Sequence, residues 1–146
     1  MTPRSDASRY APSLVRMGLS IVFLWFGLHQ LFVPDAFVGW LPPFLLSLPI
    51  PPSTFLALNG SFETLFGIFL LLGLFTRLTA LLLTFHLIGI LIFSVGYNEI
   101  GVRDFGLMMA TLSVFLSGPD LLCLDGALQR FPLIRFLSRL SFKEKV

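Results

Sequence analysis

The chain has 146 residues, 55% of them hydrophobic and 12% charged, with a formal net charge of +2; its mean hydropathy is +0.89. Soluble domains carry roughly 25% charged residues, so this composition excludes one and calls for transmembrane helices of about 20 apolar residues each. The single cysteine, Cys123, excludes an intrachain disulfide and a CxxC pair, and with them thiol–disulfide chemistry by this chain alone.

In chain order, the first apolar run follows MTPRSDASRYAPSLVR. It is too long for a cleavable signal and no small-residue cleavage site follows it, so residues 14–33 are expected to stay as a first span ending before Pro34. The connection PDAFVGWLPPFLLSLPIPPS holds six of the ten prolines yet remains apolar. Proline-broken backbone is tolerated at membrane depth only where it is buried in protein or wet. The segment is therefore expected to lie in the outer interface, anchored by Trp40, or to fold back as a lid over an outward-opening site.

A second span is expected over residues 54–75 and a third over 78–97, joined by the tight turn Gly73-Leu-Phe-Thr-Arg77 as an antiparallel hairpin. The fourth, residues 102–117, closes at Gly118-Pro119 and carries Arg103 and Asp104 in its first turn. It is short and spans only with local thinning of the bilayer or by continuing through Leu121–Leu124. The tail over 126–146 alternates basic residues with Phe, Leu and Ile, the pattern of an amphipathic cytoplasmic helix on anionic lipid rather than a nucleic-acid patch.

Basic residues fix the expected orientation. Arg4, Arg9 and Arg16 precede span one, Arg77 separates spans two and three, and five more follow span four, whereas Arg103 alone falls on the other side. The fold class is thus an all-α, antiparallel four-helix transmembrane bundle in one domain, both termini cytoplasmic.

Helical spacing selects the candidate chemistry. Asn59, Glu63 and Gly67 stack at i, i+4 and i+8 on span two. Thr79, Leu82, His86, Gly89, Phe93 and Gly96 share a face of span three. Gly106, Ala110, Ser113 and Ser117 form a small-residue seam on span four, expected to pack against a neighbouring helix. At about 1.5 Å per residue, Glu63 lies about 13 Å below the outer boundary and His86 about 12 Å above the inner one, both near the middle of a ~30 Å core. A Glu63–His86 contact is expected. It either satisfies two buried groups or works as a proton relay beside a quinone headgroup.

His29 lies about 6 Å below the outer surface, against about 18 Å for His86, which makes a haem shared between them improbable. Its plain reading is an interfacial imidazole reaching water. Arg103, with Asn98, Glu99 and Asp104, sits at the outer mouth, either paired locally or gathering an anionic or carbonyl-bearing ligand. No metal-ligand spacing, phosphate-binding loop or nucleophile–base arrangement is present in the sequence. The candidate site is therefore Glu63 and His86 for proton transfer, with Asn59, Arg103, Asp104 and His29 for ligand binding. The cofactor is undetermined, with quinone favoured over haem or metal.

Arg16 followed by FLWFGLHQLF, Glu63 followed by GIFLLLGLFTRLTALLL, and RDFGLMMATLSVFLSGPDLLCLD in that order resemble the DoxX-like family of small four-helix membrane proteins, over about Arg16 to Asp125. Members usually read GPGRLSLD where this chain reads GPDLLCLD. The resemblance implies a subunit associated with quinol oxidation or thiosulfate:quinone oxidoreduction, or membership of an oxidative-stress complex; more distant relatives act as membrane chaperones. It marks Glu63, Arg77, Arg103 and Asp104 as matching positions. Two functions follow as expectations: an inner-membrane accessory of a quinone-linked redox system, with partner redox subunits or a homo-oligomer, or a non-catalytic assembly partner. Transport of a small solute is a third and weaker option.

Overall fold

The structure, a computed structural model, describes residues 6–96 and 98–125. The amphipathic helix expected over 126–146 lies outside the described residues. A 3-10 turn, Asp6–Tyr10, leads into α1, Ala11–Phe32. Two further 3-10 turns, Pro34–Ala36 and Val38–Trp40, and the short α2, Pro43–Leu46, make up the proline-rich connection. Then come α3, Pro52–Leu72, α4, Thr76–Ile90, and α5, Glu99–Ser117. A π-helical turn, Leu91–Val95, extends α4. Four helices are long and apolar enough to cross a membrane, the third counting α4 with its π-turn. Among the described residues there is no strand.

Local chemistry sets the boundaries. Pro12 and Pro52 occupy the first turns of α1 and α3, where their missing N–H is not needed. Gly73 ends α3 at φ +65°, with its own N–H on Leu70 O and Leu74 N–H on Phe69 O. This is a Schellman closure, and a left-handed residue there favours glycine. At the start of α5, Asn98 Oδ1 accepts from Ile100 and Gly101 N–H at 2.9 Å each, satisfying two free donors of the first turn.

Packing does not follow the sequence hairpin. The intimate pairs are α1 with α3 and α4 with α5, whereas α3 and α4 touch far less despite their tight turn. α1 and α3 meet at glycines: a Cβ on Gly27 would stand 2.5 Å from Thr64 Oγ1 and 2.7 Å from Thr64 N, and one on Gly60 would stand 2.7 Å from Gly27 O. Such backbone approach is how small residues drive helix association where lipid removes the hydrophobic incentive.

Neither the glycines on the shared face of the third span nor the small-residue seam expected on the fourth serves this purpose. Gly89 and Gly106 have nothing within 4 Å of where a Cβ would be. Gly106, Ser113 and Ser117 are exposed, and α5 buries Gly101, Asp104, Thr111 and Val114 instead.

The buried apolar centre is small: Leu19, Phe23, Leu70, Ala80, Leu83, Leu87 and Val114. Leu14, Ile21, Leu58, Phe85, Ile92 and Leu116 are each more than 60% exposed. An outer surface this apolar suits hydrocarbon rather than water.

One end of the bundle is tied by a polar staple. Arg16, counted in the sequence as a topology charge, is fully buried. Its Nε donates to Asp120 Oδ2 at 2.7 Å and Nη2 to Asp120 Oδ1 and Leu122 O. Nη1 donates to Leu70 O and Leu71 O, both at 2.6 Å. All five guanidinium hydrogens are thereby used. Asp120 also accepts from Ser13 Oγ and Leu122 N. Burial pushes its carboxyl up, but the bonds from Arg16, Ser13 and Leu122 outweigh it and hold the pKa at about 2, below the ordinary 3.8. Asp125 accepts from Phe75 N, Thr76 N and Thr76 Oγ1, capping α4 across the chain beside Phe75, a non-glycine residue at φ +48°.

Candidate functional site

Halfway along α3 and α4, four polar side chains from three helices converge. Asn59 and Glu63, one turn apart on α3, face α1 and α4 together. Glu63 is 4% exposed. Its Oε2 accepts from Gln30 Nε2 at 3.1 Å, and its Oε1 accepts from Asn59 Nδ2 at 3.1 Å. His86 Nε2 lies 2.9 Å from the same Oε1. Asn59 Nδ2 also donates to Gln30 Oε1 at 2.7 Å, which fixes both amides relative to the acid. The His86 ring rests against Phe62, centroids 4.8 Å apart.

These groups form part of the wall of a cavity of about 880 Å³ lying between the α1–α3 and α4–α5 pairs. The wall is mostly aromatic and aliphatic, and both tryptophans of the chain, Trp25 and Trp40, belong to it. Phe37, Leu41, Phe44 and Leu45 of the proline-rich connection line it as well. Phe44 meets Phe93 edge to face, centroids 6.3 Å apart, drawing the connection onto the end of the α4 extension. Leu58 of α3 and Phe85 of α4 line the cavity where those two helices are loosely packed.

A second polar station stands in the same wall. Arg103 Nε and Nη2 donate to Asp104 Oδ1 at 2.9 and 2.8 Å. The guanidinium also lies over Phe26, 5.2 Å from the ring centroid, a cation–π contact. Asp104 is buried and Arg103 half-exposed. His29 lines the cavity stacked on Trp25 at 4.5 Å, with Phe37 edge-on at 6.1 Å.

Asn59, Glu63 and His86 are therefore brought into direct contact. Arg103, Asp104 and His29 share their cavity without bonding to them, and Arg103 pairs with its chain neighbour Asp104 rather than with Glu99. The residue that sequence reasoning missed is Gln30. It shares the buried side of α1 with Phe23 and Gly27. Among the described residues no three His, Cys, Asp or Glu side chains are grouped as a metal would need.

A family model described as DoxX matches residues 11–96. The chain belongs to the DoxX family. The match spans α1, α3 and α4 and so contains His29, Gln30, Asn59, Glu63 and His86. Arg103, Asp104 and the Asp120–Asp125 half of the staple lie beyond it. Searches of curated proteins and of solved structures returned no match. With four candidate spans and this family membership, the DoxX-family chain is an integral membrane protein.

Proposed function

We propose that this DoxX-family protein holds a small hydrophobic molecule of the quinone class in its bundle, as a subunit or accessory of a quinone-linked membrane redox system. The observation that carries this reading is the buried Glu63–His86–Gln30–Asn59 network in the wall of an otherwise apolar cavity of about 880 Å³. A pocket of this kind, apolar with a few convergent polar groups, suits a lipophilic molecule with one polar head. Leu58 and Phe85 in its wall, on the loosely packed α3–α4 side, support entry from the bilayer with an apolar tail left in lipid. An imidazole and a carboxyl in contact can pass a proton to or from the head, which assigns Glu63 and His86 the relay and Asn59 its orientation. Arg103, Asp104 and His29 would contact the ligand from the facing walls. Orientation belongs to the same reading. Arg9, Arg16 and Arg77 lie toward the stapled end and Arg103 toward the cavity end, so the positive-inside rule puts both termini in the cytoplasm of a bacterial inner membrane and opens the cavity outward.

The test is mass spectrometry of lipophilic molecules retained by gently purified protein. A quinone recovered from wild type and absent from Glu63→Gln is the expected result. Loss of the reading would be recovery of the same bulk lipids from both. A second reading, an intramembrane assembly partner, draws on the outward-facing Gly106 edge of α5. A Cβ at Gly106 has nothing within 4 Å among the described residues, so a Gly106→Leu protein that folds but loses a co-purifying partner would favour it.

A further inference from the structure

The cavity wall contains one hydrogen-bonding atom whose role is fixed by charge balance. His86 Nε2 is taken by Glu63. Nδ1 has no partner among the described residues, yet it is not sealed off from open space, and His86 lines the cavity. The other charged groups of the wall leave nothing to balance the Glu63–His86 pair: on α5 Arg103 is committed to Asp104, and on α1 His29 stacks on Trp25 away from the acid. An uncompensated charge is the costliest arrangement in an apolar interior.

Two proton placements keep the pair neutral. In one, Glu63 is a carboxylate and His86 an imidazolium, so Nε2 and Nδ1 both carry hydrogen. In the other, the proton is on Glu63, Nε2 accepts it, and the ring hydrogen is on Nδ1. The three polar contacts on Glu63, from Gln30, Asn59 and His86, match the first. Nδ1 is a donor either way. Resting on the ligand-binding reading above, we infer that His86 presents Nδ1–H to the cavity, so that the bound molecule turns a hydrogen-bond acceptor toward it. The ligand class is a lipophilic carbonyl compound, a quinone in its oxidised form. Glu63 is then a positioning residue: with Phe62 it fixes the ring plane and holds the proton count of the pair, and it does not itself touch the ligand.

The test has two arms. Nitrogen-15 histidine NMR in nanodiscs on the wild-type protein, whose two histidines are told apart by the resonances that His29→Gln removes, is expected to show a directly bonded hydrogen on Nδ1 of His86, with a shift of that resonance when a short-tailed alkyl benzoquinone is added. In parallel, the quinone and the alkylbenzene with the same tail are compared at equal concentration in the bilayer. A bond from a charged donor predicts about tenfold tighter binding of the quinone, and His86→Phe should remove that preference. If neither compound binds, the ligand-binding reading falls and this inference with it. If both bind equally, that reading survives and the donor assignment is wrong. An Nδ1 without hydrogen overturns the assignment whatever the affinities, and this arm does not depend on His86→Phe folding.

Discussion

The bundle has two buried polar networks, one at the Arg16 end and one halfway along α3 and α4, and they differ in how fully their hydrogen-bonding groups are used. Around Arg16 every donor is consumed: five N–H groups meet Asp120 and three backbone carbonyls, and Asp120 is filled in turn by Ser13 and Leu122. Around Glu63 the acid is filled, but the imidazole that fills it keeps one nitrogen open at a large cavity. A saturated network in an apolar medium is a fastener. A network with one open valence facing a cavity is a candidate site.

The sharpest way to break this contrast is at the fastener. Arg16→Leu leaves Asp120 buried without its partner, and breaking a buried pair from one side costs about 3–5 kcal/mol. Thermal denaturation in detergent should show this loss with and without quinone, because a ligand bound elsewhere raises wild type and variant alike. Next comes the α1–α3 seam. Gly27→Ala forces a methyl against Thr64, which should destabilise by about 1–3 kcal/mol as overpacking does, whereas Gly106→Ala, with open space around it, should stay within about 0.5 kcal/mol. Comparing the two melts separates helix contact from helix surface.

A smaller effect concerns pH. The Asp120 pKa is held at about 2, below its ordinary 3.8. Its contribution is therefore fully present above about pH 4 and fades as pH falls through the folded-state value near 2. Melting temperature measured between pH 5 and pH 2 should fall more steeply in wild type than in Asp120→Asn, which lacks this titration.

How much of this was readable beforehand differs between the two networks. The four spans were legible because apolar length alone determines them, and the observed helices shift from the expected bounds by only a few residues. The Glu63–His86 contact was legible too, since helical rise places both at one depth and a tight turn makes their helices antiparallel. Facing was not. In lipid the outer surface is as apolar as the inner one, so periodicity gives no amphipathic stripe, and Gly106 and Ser113 were assigned to a seam they do not form. Gln30 was missed for the same reason. The staple was illegible because Arg16 and Asp120 are 104 positions apart, and an arginine at a span boundary reads as a topology charge unless its partner is known.

The central claim, that the Glu63 network is a ligand site and the Arg16 network is not, is tested most directly by tryptophan fluorescence. Both tryptophans line the cavity, so a short-tailed quinone titrated into nanodiscs should quench them along a saturable curve. Glu63→Gln should weaken the saturable phase by about tenfold while its melting temperature stays within about 4 °C of wild type. Quenching that is linear in quinone and identical in the two proteins would mean only collisions in the bilayer, and would contradict the account.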